Sequence, residues 1–157
     1  MSQRDAPRQR WFDAACARID TKRVQSLIVE LTNRHSPTGA ERPLCEFLAN
    51  YLTSAGIEAQ CQAVGAESGN CVGRIRGAGG GPDIMLFSPV DTHLDADTDT
   101  DVPWVGPRLR ADMMPAARVQ GDHVIGLGSS NPKSMVAAVA EAAMCLVEAG
   151  VPLLGDA

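Results

Sequence analysis

The chain has 157 residues, 45% of them hydrophobic, and a formal net charge of -5 at pH 7. That is one domain's worth of chain with enough apolar content for a buried core. The acidic balance excludes nucleic acid as a default partner, because Lys and Arg are dispersed apart from Arg8/Arg10 and Lys22/Arg23.

No apolar run approaches the roughly 20 residues of a membrane span, and the first residues lack the apolar centre of a signal peptide. The expectation is a cytoplasmic protein with no membrane partner. Five cysteines, Cys16, Cys45, Cys61, Cys71 and Cys145, are odd in number and contain no CxxC pair. They suggest neither a disulfide framework nor a structural zinc site, and buried small apolar residues is the plainer reading.

In chain order, residues 1–19 read as an N-terminal arm or short helix, with a helical piece around Trp11 to Ile19. Val24, Leu27, Ile28 and Leu31 then fall at i, i+3, i+4, i+7, the mark of an amphipathic helix between Asp20 and Arg34, with Asp20 or Thr21 to cap it. Ser36-Pro37-Thr38-Gly39-Ala40-Glu41 holds turn formers ahead of a second helix, with Ser36 or Thr38 as cap oxygens. That helix carries Leu44, Phe47, Leu48, Tyr51, Leu52 and Ala55 in one stripe and ends at Gly56.

Ile57 to Val64 and Asn70 to Ile75 read as strands joined through a turn at Gly65 to Gly69. Gly77 to Gly81 leads into a strand rather than a helix and lacks Gly-Lys-Ser/Thr, so it is a hinge and no phosphate loop. Ile84 to Phe87 reads as a buried strand. Directly after it come Pro89, Asp91, His93, Asp95, Asp97, Asp99 and Asp101, at the kind of strand end where open α/β sheets bind ligands.

Val102 to Ala117, with three prolines, reads as a loop, and Val119 to Ile125 as a hairpin turning at Gly121-Asp122. A last helix follows Pro132, with Asn131 or Ser130 as cap, and places Val136, Val139, Ala143, Leu146 and Val147 on one face.

The alternating aspartates invite a calcium site. Counted from Asp95, however, the sixth and twelfth positions of an EF-hand would hold Thr100 and Gly106 instead of Gly and Glu, so a solvated acidic loop is the better reading. Asp91, His93 and Asp95 offer a metal ligand with an orienting carboxylate, but one His with several Asp does not specify zinc. His35 and His123 read as surface or turn residues. Lys133, beside Asn131 at a helix start, is a candidate for binding an anion.

The order of these motifs resembles the amino-terminal half of the catalytic domain in the dinuclear zinc aminoacylases and peptidases that include acetylornithine deacetylase and succinyl-diaminopimelate desuccinylase. Ser36 to Glu41 looks like the segment before that family's first long helix, and Ile84 to Thr92 like the strand ending in His-x-Asp-Thr. Trp104, Gly121-Asp122 and Gly126 to Lys133 resemble the family's Trp, its Asp-Gly turn and its Gly-Arg-Gly-x-x-Asp-x-Lys segment.

The resemblance implies a zinc-exopeptidase-like fold, an α/β three-layer sandwich with a mixed sheet, here truncated over residues 20–157. It implies zinc as cofactor and hydrolysis of C–N bonds in N-acyl amino acids, peptides or ureido compounds. It also exposes departures. Where the family carries a zinc-binding His, an orienting Asp and a bridging Asp, this chain has Pro89, Asp91 and Asn131. A shifted alignment through His93-Leu94-Asp95 restores the letters but inserts four residues between strand and ligand, loosening a geometry that depends on a rigid strand end.

Three readings stay open. The chain is a degenerate relative, inactive alone, acting as a noncatalytic or complementing subunit beside a second chain or a second copy; or one half of a split hydrolase; or a metal-free module that binds a small carboxylate or amide through Lys133 and the Gly126 to Ser130 turn. Site residues on these readings are Asp91 as the catalytic-site carboxylate, Asn131, His93 and Asp95 toward metal, and Lys133 toward substrate.

Overall fold

A computed structural model describes residues 6–157; the first five residues of the expected arm lie outside the described residues. The elements are α1 (Ala6–Cys16), α2 (Thr21–Thr32), α3 (Arg42–Ser54), β1 (Glu58–Ala63), β2 (Gly69–Arg74), α4 (Thr98–Val105), β3 (Arg118–Gln120), β4 (His123–Ile125) and α5 (Lys133–Glu148), with a 3-10 turn at Ala111–Met113. The fold is mixed α/β, with β1–β2 and β3–β4 each an antiparallel pair. Among the described residues no helix is long and apolar enough to cross a membrane.

Helix α2 starts as its sequence dictates. The Asp20 carboxylate accepts the backbone N–H groups of Lys22 (2.8 Å) and Arg23 (3.2 Å), satisfying donors that the first helical turn leaves unpaired. Its apolar stripe supplies Leu27 and Leu31 to a core shared with Leu44 and Leu48 of α3 and Val136, Ala137 and Ala140 of α5. Alanines on α5 shorten the approach between helices. Truncating a fully buried leucine such as Leu31 costs about 2–5 kcal/mol, through lost transfer energy and the cavity left behind.

One ion-pair network fastens α2 to α5. The Arg23 guanidinium donates to both Glu141 oxygens (2.7 and 3.0 Å) and to Glu148 Oε1 (2.5 Å), while Glu141 also accepts Asp20 N–H (2.7 Å). Burial works to raise the Glu141 pKa, but these hydrogen bonds outweigh it and hold the carboxyl below its ordinary value. The same bonds, Glu141 first, raise the pKa of Arg23.

Helix α3 begins without a side-chain cap: Glu41 occupies the cap position with helical backbone angles, and Pro43 lies in the first turn. The expected cap oxygens of Ser36 and Thr38 are bonded elsewhere, to Val90 and Asp91. Its other end follows expectation. Gly56, at φ +82°, donates to Thr53 and Ile57 donates to Leu52, the paired bonds that close a helix on a left-handed residue. Ile57 is thereby buried as the chain turns into β1.

Two loop regions differ from the sequence reading. The acidic run is folded: the Asp97 side chain accepts the N–H groups of Asp99 and Thr100, both at 3.0 Å, and caps α4, while the buried Asp101 carboxylate accepts the N–H groups of Asp95 and Asp97, both at 3.2 Å. Acidic residues in the first turn suit the positive end of the helix dipole, which compensates for the absence of an apolar period. Beneath this loop Leu94, Met113 and Leu127 form a second small core.

The larger difference concerns Ile84 to Phe87. The segment joins no sheet, and its side chains are 51–88% exposed. Among the described residues, Met85 to Asp91 have no partner for a backbone–backbone hydrogen bond. A strand apolar on both faces is stable only between neighbouring strands and covering helices, and here no strand lies along either edge beyond its first residue.

Candidate functional site

Three sequence segments that lie far apart in the chain meet where the 84–92 segment ends. Thr92 N–H donates to Ser36 carbonyl oxygen (2.8 Å) and Thr38 N–H to Thr92 carbonyl oxygen (3.0 Å), forming a short parallel bridge. The Ser36 hydroxyl donates to Val90 carbonyl oxygen (2.9 Å) and the Thr92 hydroxyl to that of Leu94 (3.2 Å), so the two buried hydroxyls find partners. The Thr38 hydroxyl donates to Asp91 Oδ2 (2.7 Å).

The third segment is the glycine turn before α5. Gly128 stands at φ +77°, and a Cβ there would come within 2.9 Å of Thr92 Cγ2 and 3.2 Å of Lys133 Cδ. Only glycine meets both the backbone angle and the space. Lys133 itself is fully buried, donates from Nζ to Arg34 carbonyl oxygen (2.8 Å), and burial pushes its ammonium down to about 8. Pro132, joined to Asn131 through a cis peptide bond, is buried beside it.

Glu41 anchors the outer side of this knot. Gly39 N–H donates to Oε1 (2.5 Å) and the Ser68 hydroxyl to Oε2 (2.7 Å), which ties the start of α3 to the β1–β2 turn. Burial works to raise its pKa, and the two hydrogen bonds together hold it below the usual value.

The residues singled out from sequence are distributed unevenly. Asp91 is half-buried and bonded to Thr38, and Lys133 lies in the centre of the knot. Asn131, His93 and Asp95 are exposed, as are His35, His123 and Trp104. Pro89 has no side-chain donor for a metal, and a neutral Asn131 brings no charge to offset two dications. Among the described residues no three His, Cys, Asp or Glu side chains converge as a metal ion requires.

Beside the knot lies a feature the sequence reading did not identify. An apolar groove of about 300 Å³ has α3 and α5 as its floor, through Leu48, Leu52, Val136 and Val139. β2 forms one wall and the 84–90 segment the other. Residues 153–157 close one end: Ile75 and Ala157 exchange backbone hydrogen bonds (2.5 and 3.0 Å), and Ile84 N–H donates to Asp156 carbonyl oxygen (2.9 Å). Its floor residues belong to the apolar stripes that the sequence places on α3 and α5.

No protein-family model matches the chain.

Proposed function

We propose that the chain is a degenerate relative of the dinuclear zinc aminoacylases and peptidases, inactive by itself and serving as a noncatalytic or complementing subunit. The observation that carries this reading is the knot around Thr92. Ser36 to Glu41, the end of the Ile84 to Thr92 segment and Gly126 to Lys133, three of the five pieces of the resemblance, pack together there, with Pro89 and Asn131 where the resemblance would put a zinc-binding His and a bridging Asp. Metal hydrolysis needs a Lewis acid, a water of lowered pKa and a base, and these residues supply no metal ligand set.

The finer architecture belongs to the same proposal. An α/β three-layer sandwich with a mixed sheet results if a strand from a second chain or a second copy fills the groove between β2 and the 84–90 segment. The groove also favours a second reading, one half of a split hydrolase whose missing ligands arrive with that strand. Burial of Lys133 against Arg34 carbonyl oxygen gives the carboxylate-binding module no support.

The test is zinc content and hydrolysis of N-acyl amino acids by the purified chain after equilibration with zinc. Less than one zinc per chain and no hydrolysis are expected. Two tightly held zinc ions with turnover sink the degenerate reading. Turnover that arises only on mixing with a chain carrying an acidic pair after a strand replaces it with the split enzyme.

A further inference from the structure

The β1–β2 hairpin sets Cys61 directly opposite Cys71. The hydrogen-bond alternation of the ladder fixes what kind of pair they form. Val64 N–H donates to Ser68 carbonyl oxygen (3.0 Å), one step past the last paired residues Ala63 and Gly69. Bonded pairs therefore fall at even-numbered residues, and Cys61–Cys71 is a non-hydrogen-bonded pair, the close kind with Cα atoms about 4.5 Å apart. A disulfide spans Cα separations of about 4.4–6.8 Å. Directly opposed side chains share a face of the sheet. Gly69 keeps that face open, since a Cβ there would stand 3.2 Å from Cys61 Sγ.

A third thiol lies nearby but is otherwise engaged. Cys45 of α3 donates from Sγ to Gly69 carbonyl oxygen (3.1 Å) on β2. It is fully buried, and burial pushes its thiol up to about 12. Cys61 and Cys71, by contrast, are free and only partly buried.

We propose that Cys61 and Cys71 are a modification site, forming a reversible cross-strand disulfide by exchange with a small-molecule disulfide. The Cys61 thiolate attacks one sulfur of the oxidant, forming a mixed disulfide and releasing one thiolate. Cys71 then gives up its proton and attacks Cys61 Sγ, expelling the second thiolate. Two protein thiols are oxidised, and one disulfide is reduced to two thiols. Burial pushes the Cys71 thiol up to about 11, which suits it to the second, resolving step once the mixed disulfide stands beside it. Cys71 also lines the apolar groove, so the bond ties the oxidation state to one groove wall. This inference does not rest on the proposed function.

The test uses the reduced full chain treated with oxidised glutathione at neutral pH, alkylated, and cut with trypsin and a Glu-specific protease. The expected product is Ala59–Glu67 linked to Ser68–Arg74, in a chain lighter by two hydrogens and restored by dithiothreitol. Cys45→Ser keeps the link; Cys61→Ser and Cys71→Ser each abolish it. Exposed Cys16 reports that the oxidant has reacted. Modified Cys16 with Cys61 and Cys71 both still alkylated, a link through Cys45, or a bond between two chains overturns the proposal.

Discussion

Two stretches of one short segment, Ile84 to Phe87 and Val90 to Thr92, behave in opposite ways. In the second, backbone and hydroxyl groups are bonded to Ser36, Thr38 and Leu94. In the first, four large apolar side chains face solvent and only one backbone N–H is bonded. The difference is one of supply. The knot is completed by short turns that this chain brings to it, whereas the apolar half needs a neighbouring strand along its edge.

The comparison breaks most sharply at Gly128. Gly128→Val places a branched side chain at φ +77° against Thr92 and Lys133. It should cost about 3–4 kcal/mol in urea unfolding, from backbone strain and overpacking together; a loss below about 1 kcal/mol would mean the turn yields easily.

Glu41→Gln tests the outer anchor. At neutral pH it should destabilise by about 2 kcal/mol, because two hydrogen bonds to a charged acceptor weaken. The folded pKa lies below the unfolded one, so this stability is present above the unfolded pKa and is lost as pH falls through the folded value. Melting curves of the two proteins should converge on acidification.

Lys133 gives the same direction of pH dependence from the opposite cause, burial that disfavours its charged form. Its folded pKa of about 8 lies below the 10.5 of the free group, so between these values the unfolded chain binds more protons and stability rises with pH. Against Lys133→Met, the wild type should gain roughly 2–2.5 kcal/mol between pH 7.5 and pH 10. A pH-independent gap between the two would show that the ammonium is solvated.

The smallest effect is expected in the apolar half. Phe87→Glu should change stability by less than about 0.5 kcal/mol, since the ring is 76% exposed. Light scattering at high protein concentration should show less self-association, because an apolar unpaired strand is a template for pairing.

What the sequence disclosed divides along the same line. Helices α2, α3 and α5 and both hairpins were legible because their signals are local: spacing at i, i+3, i+4, a capping Asp20, turns at Gly56 and Gly121. Lys133 was not, because its burial depends on Arg34, 99 residues away, and on the space left at Gly128. A lysine at a helix start is ordinarily solvated. Asp101 was missed for a related reason, being an acceptor for the N–H groups of its own loop rather than a solvated charge. The motif segments of the candidate site were visible one by one; their meeting depended on tertiary structure.

The fork of Arg23 has a consequence for motion. Its two acceptors, Glu141 and Glu148, are seven residues apart on α5, or about 10.5 Å along the axis. A slide of α2 by one helical turn, about 5.4 Å, leaves the guanidinium facing at most one of them. The helix pair therefore has an indexed position, like a pawl in a toothed rack. Sliding α2 along α5 by a turn breaks at least one of the two Arg23 ion pairs.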